Sequence, residues 1–258
     1  MCEKIKISVG VVTFNSENEI DILMPSLKNS NLFNETEVYV VDNASSDNTA
    51  NLISEKYSWA KLTRNEKNIG FGRAHNIIIR EVKSKYHLII NPDVKISSDT
   101  LEKSMEFMDN HPDVVLMTPY IMNIDGTQQF LPKKNPSFKY LFGGMFEKQF
   151  EFCKRLREEY TMKNENITKF TDVEFCTGAF MFTRTEALKK LGGFDERYFL
   201  HFEDADLTRE LKKFGRTVFN PEIKITHKWQ RDNKKLNKSF FAALNSMFKY
   251  MIKWSLKK

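Results

Sequence analysis

Leu88-Ile89-Ile90-Asn91-Pro92-Asp93-Val94 is an apolar run that stops at a proline beside an acid. Pro92 fixes its own φ and has no N–H to give a ladder, so a strand cannot continue through it. The stop leaves Asp93 at the C-terminal edge of a strand, the edge at which open α/β sheets bind their ligands. A short acidic turn after a strand is commonplace by itself. Its weight comes from the segments around it.

Upstream, strand and helix signals alternate. Ile7 to Thr13 is β-branched and apolar, and Phe14-Asn15-Ser16 turns into a helical spacing of Ile20, Leu23 and Leu27. Glu37 to Val41 reads as a second strand ending at Asp42-Asn43-Ala44-Ser45-Ser46-Asp47, with helix signals from Thr49 towards Tyr57. Leu62-Thr63 is a short third strand, Asn68 to Gly72 a turn, Ala74 to Val82 a helix, and Tyr86 to Ile90 the fourth strand. This rhythm with short connections predicts an α/β fold, a Rossmann-like, mostly parallel central sheet flanked by helices. Strand tips carrying Asn15, Asp42 and Asp93 then gather along one edge.

Composition excludes several classes. The 258 residues are 41% hydrophobic and 29% charged, ordinary for a globular chain with one large domain and an appendage. Cys2, Cys153 and Cys176 are too few and too scattered for a disulfide framework or a zinc site, which makes a reducing cytoplasm the default. No apolar run of about 20 residues and no signal-peptide pattern is present. Gly70-Phe71-Gly72 lacks the third glycine of a dinucleotide fingerprint and does not follow the first strand, which argues against a dehydrogenase.

Five segments in order resemble the family 2 inverting glycosyltransferases of the GT-A fold. They are Val11 to Asn15, Val40 to Asp47, Asn68 to Asn76, Asn91 to Val94 and Phe202-Glu203-Asp204. The likeness runs from about Lys6 to His227 and is nearest to bacterial rhamnosyltransferase-like members that build surface polysaccharides. It divides the chain into a GT-A domain at 1–228, with a nucleotide-binding half (1–100) and an acceptor-binding half (101–228), and a basic tail at 229–258. It implies inverting transfer of a sugar from a nucleoside diphosphate donor, dTDP-rhamnose or else a UDP-hexose, to a hydroxyl of a glycan or polyprenyl-linked glycan. A non-catalytic relative would have lost Asp93 or Asp204, and both are present.

The resemblance also gives residues their roles. Asp42 would accept a hydrogen bond from a pyrimidine ring N–H, or cap its own turn, as Asn43, Ser45 and Ser46 equally can. Thr13 and Asn15 would line the base pocket, or cap the following helix. Arg73 would meet a phosphate, or lie solvated on a helix face. Asn91-Pro92-Asp93 stands where the family often has Asp-x-Asp. Asp93 matches the acid that holds Mg²⁺ or Mn²⁺ against the diphosphate, while Asn91, in place of the first acid, adds no charge. Gly178 and Ala179, within a predicted buried strand Phe175 to Phe182, would let backbone approach the donor sugar. Asp204 would be the general base, with Glu203 the runner-up, although both acids also suit a helix N-terminus. His227, after a predicted strand Ile223 to Thr226, would reach back to the metal. His75, His87 and His111 read as structural, and His201 as a possible acceptor contact.

Two segments carry no motif. Residues 135–170 hold Phe138, Phe142, Met145, Phe146, Phe150 and Phe152, suited to core packing or to a membrane-facing acceptor segment. From Lys224 to Lys258 there are ten Lys/Arg against Asp232, a net of +9, so the rest of a chain of total +6 carries about −3. Within 239–258, Phe240, Phe241, Leu244, Met247, Phe248, Met251 and Ile252 fall on one predicted helical face with Lys249 and Lys253 on another. Such a helix suits the anionic inner face of a cell membrane, packing on the domain, or a homodimer contact. It lacks any nucleic-acid recognition motif.

Overall fold

A computed structural model describes residues 5–228 and 238–256 of the chain. Strands β1 (Ile7–Thr13), β2 (Thr36–Asp42), β3 (Lys61–Arg64) and β4 (Tyr86–Ile90) alternate with helices α1 (Glu17–Lys28), α2 (Thr49–Lys56) and α3 (Phe71–Glu81). The two-residue strand β5 (Val94–Lys95), α4 (Thr100–Asn110) and β6 (Val114–Met122) follow. Then come α5 (Phe138–Met145), α6 (Glu151–Thr161), β7 (Thr171–Asp172), β8 (Phe180–Arg184), α7 (Thr185–Leu191), α8 (Glu203–Leu211), β9 (Arg216–His227) and α9 (Lys238–Ser255).

One sheet runs through both halves, in the order β3-β2-β1-β4-β8-β6-β9-β5, with β7 beside β9. The first four strands pair in parallel, as the alternation predicts, and so do β6 and β9. β8 runs antiparallel to both neighbours, and β5 and β7 run antiparallel to β9. Pairing is wholly parallel in the first half and mixed beyond it. All seven residues of β1 are buried, as a strand between two neighbours and two helical layers requires. Leu88 and Ile90 belong to one buried cluster with Val9, Val11, Phe180 and Phe182, while Ile89 and Met181 belong to another with Leu207. The strand period of two thus splits the core between the two faces of the sheet.

Three boundaries differ from expectation. α3 starts at Phe71, before Ala74, because Gly70 takes φ +91° and turns the chain directly into the helix. A Cβ on Gly70 would lie 2.5 Å from the Phe199 carbonyl oxygen, so only glycine fits. The strand predicted over Phe175–Phe182 begins only at Phe180, since the Cys176 amide is taken by the Thr208 hydroxyl. Gly178 and Ala179 therefore lie on a turn at the mouth of β8. β9 is 12 residues long and absorbs His227 as its last residue.

The tail corrects the single-face expectation. α9 packs on the domain: Tyr250 is buried against Phe202, and the Trp254 indole N–H donates to Asp206 at 2.8 Å. Lys253, expected in solvent, is 10% exposed and lies 2.7, 3.1 and 3.2 Å from Asp206, Asp195 and Glu210. Phe241, Phe248 and Ile252 point outward, while the side chain of Phe240 lies outside the described residues, as does 229–237. In α5 and α6 only Gly143, Cys153, Leu156, Tyr160 and Thr161 are buried, and Phe138, Phe142, Met145, Phe150 and Phe152 are exposed, so core packing explains a minority of that aromatic segment.

Candidate active site

The C-terminal ends of β1, β4 and β9 and the mouth of β8 converge on one open cleft of about 630 Å³. Thr13, Asn15, Asn91, Asp93, Gly178, Ala179, Glu203, Asp204 and His227 all line it, so the fold brings together nine of the residues singled out in the sequence.

The His227 Nε2 lies 3.2 Å from an Asp93 carboxylate oxygen, with Val94 paired to His227 in the β5–β9 ladder. Gln129, which no motif marked, fixes that imidazole. Its amide N–H donates to the His227 carbonyl at 2.7 Å, which turns its Oε1 towards the ring Nδ1 at 3.0 Å. Oε1 can only accept, so Nδ1 donates its N–H to it and Nε2 faces Asp93. An imidazole nitrogen and a carboxylate oxygen are donors that suit a divalent cation. No cluster of three or more His, Cys, Asp or Glu suited to a metal occurs among the described residues, so this pair would leave positions for water and phosphate.

The acidic pair that opens α8 lines the same cleft. His201 and Phe202 both adopt left-handed backbone, φ 64° and 68°, which is unfavourable for such side chains and sets the direction of the helix start. Asp204 accepts from the Gly178 amide at 2.9 Å through one oxygen and from the Ala205 amide at 2.9 Å through the other. Burial raises its carboxyl above the usual range, and those two amides oppose the rise. Glu203 is 5% exposed and its Oε2 has no hydrogen-bond partner. Burial and the Asp204 charge push its carboxyl well above the ordinary range.

Asp42 and Arg73 are not among the residues that line this cleft. One Asp42 oxygen takes the Thr13 and Ser45 hydroxyls at 2.9 and 2.5 Å and the other the Ser45 amide at 3.0 Å, so it holds its own turn, as the second reading has it. Arg73 is on the exposed face of α3, where its Nε donates to the Glu196 carbonyl at 2.7 Å, because the inward positions of that helix go to Ala74, His75 and Ile78. Asn43, Phe71 and Phe199 line the cleft unannounced as site residues, Asn43 tied to the Gly70 carbonyl at 3.2 Å. Asn43 and Phe71 stood inside quoted motifs. Phe199 had no signal beyond its closeness to the acidic pair.

The sequence profile described as "Glycosyl transferase family 2" matches residues 8–192. The chain is 26% identical over 203 residues to an N-acetylglucosaminyl-diphospho-decaprenol L-rhamnosyltransferase of Mycobacterium tuberculosis, covering 74% of this chain and 66% of that one. It is 26% identical over 191 residues to the rhamnosyltransferase WbbL of Escherichia coli, 70% of each chain. It is 33% identical over 135 residues to the poly(ribitol-phosphate) beta-N-acetylglucosaminyltransferase TarS of Staphylococcus aureus, 50% of this chain and 23% of that one. Among solved structures, TarS 1–349 with UDP-GlcNAc superposes with a TM-score of 0.67 at 20% identity, covering 96% of this chain and 66% of that one. A mannosyltransferase from Pyrobaculum calidifontis with GDP-Man and Mn²⁺ gives 0.61 at 17%, covering 89% and 58%.

Proposed function

Since the chain belongs to glycosyl transferase family 2, we propose that it is an inverting, divalent-cation-dependent transferase of cell-surface polysaccharide synthesis. It moves a hexose from a nucleoside diphosphate sugar to a hydroxyl of a glycan or lipid-linked glycan. The observation that carries this reading is one cleft lined by Asp93, His227 and Asp204 together. dTDP-rhamnose is the preferred donor, on the likeness to two rhamnosyltransferases. UDP-N-acetylhexosamine is the second, on the likeness to TarS. The acceptors in the names of the mycobacterial and staphylococcal relatives both contain phosphate, and a phosphate-bearing acceptor is part of this proposal.

Asp93 and His227 would hold Mg²⁺ or Mn²⁺, which when bound supplies Lewis-acid stabilisation of the departing diphosphate. Thr13, Asn15 and Asn91 would contact the nucleoside, and Gly178 and Ala179 would leave room for the donor sugar. Asp204, steadied by the Gly178 amide, takes the proton of the acceptor hydroxyl as its oxygen bonds to the anomeric carbon and the bond to diphosphate breaks. Glu203 has a buried oxygen with no hydrogen-bond partner and a carboxyl raised further by the Asp204 charge, which favours Asp204 for that task. The transferase would work at the cytoplasmic face of the membrane, resting there through Phe241, Phe248 and Ile252. No described helix is long and apolar enough to cross a bilayer.

A donor screen reading released nucleoside diphosphate tests the proposal. One donor should be consumed in an EDTA-sensitive way, and Asp93→Ala should abolish that turnover with the fold intact. Undiminished turnover of the variant, or of the wild type in excess chelator, would sink the metal assignment.

A further inference from the structure

Lys133 is a cation of the interior. It is 6% exposed, and its ammonium lies 4.5 Å from the centroid of the Phe219 ring. No carboxylate stands within ion-pair distance of it among the described residues. Its backbone is pinned on both sides: its N–H donates to the Tyr160 carbonyl at 3.0 Å, and its own carbonyl accepts from Glu174 and Phe175 at 2.7 and 3.1 Å. Burial pulls its pKa down to about 8, which leaves it mostly charged at neutral pH. An ammonium withdrawn from water without a counter-charge is a costly feature for a fold to retain.

The Thr177 hydroxyl is buried and has no partner. Lys133 and Thr177 both line a narrow crevice of about 10 Å³, room for a single water-sized group such as one oxygen, with Gln128 and Gln129. Thr177 walls the main cleft as well, and the next residue, Gly178, holds the proposed base. A group seated at Lys133 would therefore lie one residue from the anchor of Asp204.

We propose that Lys133 and the Thr177 hydroxyl form a subsite for a phosphate oxygen of the acceptor. An ammonium and a hydroxyl supply a charge and a donor to an anionic oxygen, and lysine binds phosphate as a point charge. The donor's diphosphate is already served by the Asp93–His227 pair, so the free cation falls to the other substrate. The inference rests on the transferase reading. The phosphate has two sources, a sugar diphosphate on a lipid or a polyol-phosphate chain, which the test separates.

Wild type and Lys133→Met are compared on three acceptors: N-acetylglucosaminyl diphosphate on a short prenyl chain, a ribitol-phosphate oligomer, and octyl N-acetylglucosaminide. Loss of a charge-assisted contact should raise KM about tenfold or more for a phosphate-bearing acceptor. The same variant should keep kcat, donor KM and the octyl glycoside KM. The acceptor that shows the effect names the source. Lys133→Met should also melt at or above the wild-type temperature, since a buried cation is exchanged for an apolar chain of similar length. An unchanged KM, an equal loss on all three acceptors, a loss confined to donor KM, or a lowered melting temperature would each overturn the proposal. If the wild type transfers nothing from any donor, the transferase reading fails separately. Calorimetric titration with the N-acetylglucosaminyl diphosphate then decides the subsite: weaker binding by the variant supports it, and equal binding refutes it.

Discussion

Asp204 and Glu203 are neighbours in sequence with opposite prospects. The helix start gives Asp204 two amide donors and leaves Glu203 with an unpartnered buried oxygen. Asp204→Asn should lower kcat by roughly a hundredfold or more with donor binding retained. Glu203→Gln should stay within a few fold of wild type. A large kcat loss in Glu203→Gln with a mild effect in Asp204→Asn would move the base back one residue. Gln129→Leu removes the support of the His227 ring, and the cation concentration for half-maximal activity should rise about 10- to 100-fold, measured by Mn²⁺ titration. At this scale the sequence was readable where a motif combined a breaker with an acid, as at Pro92-Asp93. It was mute for Gln129, whose role depends on a contact across 98 residues of chain. It misplaced Arg73 because a helix face in projection does not say which side the sheet will take.

The tail helix shows the same limit among elements. Its apolar residues read as one face, yet Tyr250 and Trp254 pack inward while Phe241, Phe248 and Ile252 face solvent. What decides the orientation is the acidic trio Asp195, Asp206 and Glu210, contributed by two other segments. Removing the lysine leaves the buried Asp206 without a cation, while Asp195 keeps Arg197 and Glu210 keeps Lys213, so Lys253→Met should cost about 3 kcal/mol, read by urea unfolding. A loss under 1 kcal/mol would mean that solvent already shields the trio. Phe248→Ser with Ile252→Ser should leave that unfolding curve in place and weaken sedimentation with anionic vesicles. Unaltered sedimentation would refute the membrane contact. The alternation of strand and helix, by contrast, was legible throughout the first half, because hydrophobic period and turn chemistry agree there. Beyond residue 100 the antiparallel insertion of β8 left no such signature.

Across the whole molecule, two imidazoles sit in the core around Gly10, where an added Cβ would come within 3.0 Å of His87 and 3.3 Å of His75. Neither His75 nitrogen nor the His87 Nε2 has a partner, and His87 Nδ1 is 2.7 Å from the Ser8 hydroxyl. Burial lowers both from 6.5, His87 to about 3 and His75 well below its usual value. The unfolded chain therefore binds more protons than the folded one below about pH 6.5, so stability is present above that pH and is lost as pH falls towards 3. His75→Phe should remove one such proton and flatten the slope by up to about 1.4 kcal/mol per pH unit in that window, measured by unfolding at several pH values. An unchanged slope would mean that His75 is not titrating with unfolding. The strand order has a consequence for synthesis. A ribosome delivers β1 to β4 first, and those four strands can associate while the rest is still being translated. The edge of β4 then waits for β8, and Asp93 waits for a histidine at the end of β9. A nascent or prematurely released chain can thus assemble the part of the cleft built on β1 and β4 but neither the proposed cation pair nor the proposed base, and it should not waste donor by hydrolysis before translation is nearly complete.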